Sequence, residues 1–393
     1  MASGRVSKVK GKVLDIPNPP TIGTATDSGN GGVASITFTA NSSGVGGPTL
    51  SYIALSNPGS ITATATTSPV TVSGLTNGTS YTFTVAGVNP TGTGEYSSAS
   101  NSVSPTQATR AIFVGGNNPA DNTGFNGMSY LTWASGGTTT SFGTLITGRS
   151  GLGTCASETR GLIIAGATGA SGFGAISSIE YITFTTSGNG TAFGNLSQSM
   201  AATTACSSLT RGVQGTGEPS QGSNSNTLNY VTIATTGNST SFGTLTARRF
   251  ATASSSTTRG IFANGYTSNS SNLIEYITIA STGNGTTFGN LTYSNYGSTS
   301  ASNNTRSLIG NTGGYDYITI ASTGNGTTFG NLTSAKGGAA GTATDTYAIF
   351  AGGYDTAYRT TIDRFTIAST GNASSFGNLI TATNSNGALS AKF

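Results

Sequence analysis

Few residues in this chain can do acid–base, nucleophilic or metal chemistry, and most of those are placed at regular intervals. The 393 residues include no histidine, two cysteines and only 7% charged side chains. Without histidine, Ser-His-Asp and Cys-His mechanisms are excluded. With Cys155 and Cys206 alone, a zinc site of the usual His/Cys kind is not expected either. Carboxylate pairs of the kind glycosidases use are what remains. The acids beyond residue 107 are Asp121, Glu158, Glu180, Glu218, Glu275, Asp316, Asp345, Asp355 and Asp363. Glu180, Glu275 and Asp316 each stand directly before a tyrosine in a recurring segment. Recurrence at one repeat position reads first as a feature of a strand edge, with catalysis or cation binding as the alternative. Arg160, Arg211, Arg259 and Arg306 recur just before an apolar run. They read either as turn residues that cap carbonyls or pack on a neighbour, or as a ring of guanidinium groups suited to anionic sugars or phosphate. Cys155 and Cys206 occupy equivalent positions in two copies and read as small buried thiols. The chain is therefore expected to have no catalytic residues, no metal and no cofactor.

The element that must position these residues is clearest at 276–291, Tyr-Ile-Thr-Ile-Ala-Ser-Thr-Gly-Asn-Gly-Thr-Thr-Phe-Gly-Asn-Leu. An alternating β-branched run leads into Gly-Asn-Gly and a second run leaves it. Asn-Gly favours the positive φ of a tight hairpin turn, so a two-strand hairpin is expected. The unit recurs. Phe142, Phe193, Phe242, Phe288, Phe329 and Phe376 are each followed by glycine, and twelve residues before each stands Tyr130, Tyr181, Tyr230, Tyr276, Tyr317 or Arg364. The copies are 51, 49, 46, 41 and 47 residues apart. A fixed interval inside the unit and a varying one between units describe a rigid element joined by loops of changing length. Upstream of each hairpin lies an apolar run ending in glycine, such as Tyr347-Ala348-Ile349-Phe350-Ala351-Gly352-Gly353. Before most of these lies a run of small residues, such as Ala251-Thr252-Ala253-Ser254-Ser255. Four short strands every 40–50 residues predict a β-propeller. The first repeat lacks a small-residue strand and the C-terminus carries one extra, so the C-terminal strand is expected to complete the first blade and close the ring.

The Gly-Gly doublets and aromatic hairpins resemble the kelch repeat, with Phe in place of the usual Trp and a longer Tyr-to-aromatic interval. The phrase Ile-Thr-Ile-Ala-Ser-Thr-Gly-Asn resembles a repeat of marine bacteriophage (cyanophage-type) fibre and other virion structural proteins, over about residues 107–393. That resemblance implies a virion surface protein.

Residues 17–106 differ in character. After Pro17, Pro19 and Pro20 come short alternating strands separated by Gly, Asn and Pro, spaced as in a β-sandwich. Leu75, the turn at Gly78 and Tyr81, followed by Val88-Asn89-Pro90-Thr91-Gly92-Thr93-Gly94, resemble the fibronectin type III signature, with Phe38 where that family usually has Trp. No Arg-Gly-Asp tripeptide is present. The reading is thus all-β: a basic arm at 1–16, a fibronectin type III-like β-sandwich at 17–106, and a six-bladed kelch-like propeller at 107–393.

Net charge is +4, and it resides in the arm, in Arg5, Lys8, Lys10 and Lys12. The remaining basic and acidic residues balance, so nucleic-acid binding by the body is not expected. No apolar run is long enough for a membrane span, and the first residues lack the apolar core of a secretion leader. These observations give an expected role: a non-enzymatic virion component, made in the host cytoplasm and carried on the particle surface as a tail fibre or capsid decoration. Its arm would dock to other virion proteins, and its loops would meet host-surface glycan. Phe125, Tyr266, Tyr315, Tyr354 and Tyr358, on or beside the loops between second and third strands, are the candidate ligand residues. A cellular adhesin or interaction propeller and, more distantly, a polysaccharide-degrading enzyme are the alternatives.

Overall fold

The computed structural model describes residues 16–27, 32–41, 48–106, 110–133, 135–169, 174–312 and 314–391. Arg5, Lys8, Lys10 and Lys12 lie outside them. Every regular element among the described residues is a β-strand. The chain divides into two compact units, Met1–Gln107 and Ala108–Phe393.

In the first unit two sheets face each other. One carries Thr21–Asp27, Ala34–Thr39 and Val70–Val72; the other carries Thr62–Ala65, Ser51–Asn57, Thr82–Asn89 and Gly92–Thr93, in that order. Period-two alternation turns Ala34, Ile36 and Phe38 inward against Val70, Val72, Phe83 and Val85, all buried. Thr21–Asp27 escapes a hydrophobic pattern because only Ala25 of that strand is buried. At the corner before the central strand Tyr81 is buried beside Leu75, and its hydroxyl accepts the Thr76 amide at 3.0 Å. Ser97 and Ser100 lie beside the same strand. Their hydroxyls accept the amides of Val85 and Phe83, each at 3.0 Å.

The second unit holds six sheets, each built of four consecutive kinds of strand. In the fourth sheet these are Thr252–Ser255, Arg259–Ala263, Ser271–Thr278 and Thr286–Asn295, all antiparallel. The second strand of each sheet is buried on both faces because sheets pack face to face: Arg259–Ala263 buries Ile261 and Phe262 fully. The first sheet takes its inner strand from the far end of the chain. Gly387–Ser390 pairs antiparallel with Arg110–Val114, Ser390 opposite Ala111. The inner strands pack on one another in cyclic succession, from Gly153–Ala156 through to Ala340–Ala343, then to Gly387–Ser390 and back. Side-chain hydroxyls bridge them where no backbone ladder forms. Ser207 accepts the Ala156 amide at 3.1 Å and donates to its carbonyl at 2.7 Å. Ser255 does the same to Ser207, and Ser302 to Ser255. This is why the inner strands are small and polar: only a side chain as short as serine lets neighbouring sheets converge and still satisfies their polar backbone.

The hairpin departs from its expected turn. The Asn-Gly dipeptide makes no tight, positive-φ turn: no residue of 279–285 has a left-handed φ. The chain reverses earlier, where the Ser281 amide reaches the Thr278 carbonyl at 3.3 Å. Gly283-Asn284-Gly285 then runs extended along the fourth strand of the preceding sheet. The amides of Gly283 and Gly285 donate to Phe242 and Thr244, and Asn284 Oδ1 accepts the Thr244 amide at 3.0 Å. Asn238, Asn325 and Asn372 make the equivalent contact in their copies. Local propensity for a turn loses here to a non-local docking that satisfies three amides and two backbone carbonyls. In the first repeat the same segment, Gly137–Thr138, pairs in parallel with Ser374–Asn378 as a fifth strand of the sixth sheet.

Candidate functional site

Three sets of residues carry the chemistry of the second unit: the joints between sheets, the Arg–Tyr stacks, and the rim formed by the loops.

The joints take the acids. In all six sheets the hairpin register shifts at the Phe-Gly pair, a β-bulge that leaves the phenylalanine unpaired. Phe142, Phe193, Phe242, Phe288 and Phe329 are buried, Phe376 partly so. The acid one residue before the tyrosine position, which in the sixth sheet holds Arg364, is aimed back at the preceding sheet. Glu180 accepts the amides of Ile146 and Thr147, Glu275 that of Thr246, Asp316 that of Thr292, and Asp363 that of Thr333. Three of these acids also pair with a buried cation: Glu180 with Arg149, Glu275 with Arg248 at 2.8 Å, and Asp363 with Lys336 at 2.8 Å. Burial pushes all three cations below their ordinary pKa, and the adjacent carboxylate opposes that shift. The pairs join the first sheet to the second, the third to the fourth and the fifth to the sixth. At the joint between second and third sheets the acid is replaced by Asn229, whose Nδ2 donates to Gln214 at 3.0 Å, and the cation by buried Met200. Sequence reasoning identified the acids but missed Arg149, Arg248 and Lys336. They lie six or seven residues after their phenylalanine and change type from copy to copy.

The Arg–Tyr stacks take the repeated arginines. The guanidinium groups of Arg160, Arg211, Arg259 and Arg306 lie over Tyr181, Tyr230, Tyr276 and Tyr317, 4.2–4.6 Å from the ring centroid. Each tyrosine meets its own phenylalanine edge-on, at 6.1 Å for Tyr276 and Phe288. Each Nη1 donates to two successive carbonyls of the next sheet, as Arg211 does to Ile279 and Ala280 at 3.0 and 2.9 Å. The guanidinium groups are therefore tied into sheet–sheet contacts and do not form a free cationic ring. Tyr130 is stacked likewise under Arg110. Cys155 and Cys206 are buried in two different core clusters and form no disulfide with each other. Among the described residues no group of three or more His, Cys, Asp or Glu is arranged to hold a metal.

The rim is built on an unusual backbone position. Gly151, Ala202, Phe250, Gly297, Gly338 and Ser385, one before each inner strand, all have φ between 45° and 65°. Backbone hydrogen bonds link most of them: Gly151 to Ser385, Phe250 to Ala202, Gly297 to Phe250, and Ser385 to Gly338. Together they line one mouth of the space enclosed by the inner strands. Left-handed φ favours glycine, and glycine occupies three of the six positions.

Of the five candidate ligand aromatics, Tyr315 is misplaced in the sequence reading. It is 1% exposed, in the strand Gly314–Thr319, with its ring 4.5 Å from Phe350. The loop there is so short that Tyr315 continues the strand into the core. Tyr354 is exposed and meets Tyr358 edge-on at 5.4 Å, and the Tyr358 hydroxyl bonds to Asn122 Oδ1 on the loop of the first sheet. Beside them Asp355 and Arg359 form a half-buried ion pair at 2.7 Å, which holds the Asp355 carboxyl well below its usual range. Phe125 lines a cavity between first and sixth sheets with Phe113, Met128, Leu379 and Ile380. Tyr266 packs edge-on against Tyr296 at 5.7 Å, and Tyr296 packs against Phe250 at 6.1 Å. Phe250, Tyr296 and Arg249 were not singled out in the sequence, because they sit on the connection into the inner strand rather than on the loop between second and third strands. The alignment holds a signal for Phe250: it falls where the other copies carry only Gly, Ala or Ser. No protein-family model and no curated protein matches the chain.

Proposed function

We propose that the protein is a non-enzymatic component of a virion surface, docked through its basic arm, whose second unit attaches to host-surface glycan. We read the fold as a fibronectin type III-like sandwich followed by a six-bladed kelch-like propeller closed by Gly387–Ser390. Six sheets, five of four strands and one of five, with cyclically packed inner strands support the propeller, and the buried Tyr81 with its hydroxyl returned to the Thr76 amide supports the sandwich.

The observation that carries binding over catalysis is how the carboxylates are used. All four acids that recur at the joint are buried and hold the amides of the preceding sheet, whereas a glycosidase needs two carboxyl groups facing a substrate. What the rim offers instead is exposed aromatic surface at Tyr354, Phe250 and Tyr296. The full-length protein, assayed on host-surface polysaccharides, is expected to bind one glycan class saturably and to release no reducing ends. Turnover of any polysaccharide would overturn this reading. Deleting residues 1–16 is expected to leave glycan binding intact and to abolish incorporation into particles. Normal occupancy of the truncated protein would remove the docking role of the arm. Labelled particle images then separate a tail-fibre from a capsid position.

A further inference from the structure

The strongest unexplained feature is a phenylalanine at a left-handed position where the other five copies carry only glycine, alanine or serine. Phe250 has φ 55°, and an L-residue with a branched or bulky side chain is disfavoured there by about 1–2 kcal/mol. Five other copies of this position carry Gly151, Ala202, Gly297, Gly338 and Ser385. The cost has no return in core packing, because Phe250 is 38% exposed. Strain kept at a solvent-facing side chain points to a ligand.

The surroundings define the ligand. Phe250, Tyr296 and Tyr266 form a continuous aromatic surface, with Tyr296 in the middle and 49% exposed. Arg249 lies over Tyr266, 4.6 Å from its centroid, and 5.8 Å from that of Phe250. Its Nη1 is fixed by the Gly222 carbonyl at 2.7 Å and Asn224 Oδ1 at 3.0 Å, while its Nε and Nη2 donate to no described residue. Asn224 is itself held by the Thr267 carbonyl at 2.7 Å. No acid pairs with Arg249 among the described residues. The site therefore combines exposed ring faces with a pre-positioned, uncompensated guanidinium. Aromatic faces accept the C–H face of a pyranose, and a guanidinium with two free adjacent donors matches a carboxylate. Ordering the arginine in advance removes part of the entropic cost of binding.

We infer that Phe250, Tyr296, Tyr266 and Arg249 form a binding site for an acidic pyranose, a ring sugar bearing a carboxylate. This rests on the glycan-attachment reading and adds the place and the sugar class. The pyranose stacks on Phe250 and Tyr296, and its carboxylate meets Nε and Nη2 of Arg249.

The test is calorimetric titration of the full-length protein with tetramers of galacturonate, mannuronate and guluronate, against maltotetraose and cellotetraose as neutral probes, alongside thermal melts. Wild-type protein is expected to prefer at least one acidic tetramer. Phe250→Gly is expected to weaken that binding by at least about tenfold and to raise the melting temperature by about 2 °C as the backbone strain is released. A merely structural phenylalanine would move both readouts down. Arg249→Gln is expected to abolish the preference for acidic over neutral probes, and Arg249→Lys to restore it only in part. Wild-type binding that is undiminished in Phe250→Gly overturns the site but leaves attachment standing. A preference for neutral tetramers overturns the sugar class. Binding of none of these probes, while a host polysaccharide is still bound, places the ligand site elsewhere and overturns the inference alone. Silence on host polysaccharides as well overturns both.

Discussion

At the scale of single residues, the sixth sheet shows what the repeat requires. Here the tyrosine position carries Arg364 and the arginine position carries Tyr347, yet the guanidinium again lies 4.5 Å from the tyrosine centroid. The two partners have exchanged strands and kept the contact, so what is preserved is the cation–π pair rather than either residue. Tyr347→Arg alone and Arg364→Tyr alone are each expected to cost about 1–2 kcal/mol, and the double exchange to recover most of it. A denaturant double-mutant cycle measures this, and additive losses would count against the pair. The buried ion pairs give a larger effect. Lys336→Met leaves Asp363 charged, buried and without its cation, for an expected loss of about 3–5 kcal/mol, while Lys336→Met with Asp363→Leu is expected to be close to neutral. Both are read from chemical denaturation. A pH effect follows from Tyr315 and Tyr293. Burial raises both hydroxyls above the ordinary value of 10.0. Above pH 10 the folded chain therefore holds protons that the unfolded chain has lost, and stability falls as pH rises. Lys336 acts in the opposite sense, because burial lowers it from 10.5. Its contribution rises with pH up to 10.5 and then levels off. The net expectation is stability up to about pH 10 and a decline beyond it, with two tyrosines ionising only as the sheets unfold. Tyrosinate absorbance followed alongside circular dichroism checks this, and full ionisation of all tyrosines in a folded protein would refute it.

At the scale of elements, the hairpin was legible in part. The twelve-residue interval between Tyr276 and Phe288 is an edge-on aromatic pair bridging two strands, and a fixed contact keeps a fixed interval. Alternation made Ile277 and Ile279 readable as one buried face. The Gly-Asn-Gly segment misled because its partner is the strand of another repeat, about forty residues away, and local propensity contains nothing about that partner. The Phe-Gly glycine has the same hidden cause. A Cβ on Gly243 would lie 2.0 Å from the Gly283 carbonyl oxygen of the next sheet. Gly243→Ala is therefore expected to cost about 1–3 kcal/mol by prising the joint apart. Gly283→Ala, with nothing within 4 Å of the added carbon, is expected to cost much less. Thermal melts of the two variants make the comparison. Phe250 and Arg249 were hidden for a different reason. Function at a rim is written as departure from a repeat, and a reading built on what recurs passes over what does not.

At the scale of the molecule, neighbouring sheets of the second unit are held together by three devices: the docked segment after each third strand, an arginine on the next sheet's carbonyls at the four joints from the second sheet to the sixth, and at alternate joints a buried ion pair. Removing 387–391 is expected to leave Arg110–Val114 with an unpaired edge and to remove one of the bridges between first and sixth sheets, Ser390 to the Ala343 carbonyl at 2.8 Å. Faster amide exchange at Ala111–Val114 and self-association by size-exclusion chromatography are the expected readouts. Unchanged exchange there would mean that the other five inner strands suffice. The pairing of Ser390 with Ala111 also sets an order of events. Ala111 leaves the ribosome some 280 residues before its partner exists, so the first sheet must wait, one edge open, while five others assemble. Closure of so long a loop is slow relative to local hairpins, and the waiting edge is the species most exposed to mispairing with another chain. The yield of this protein should therefore depend less on its final stability than on how well that single strand is shielded until its mate arrives.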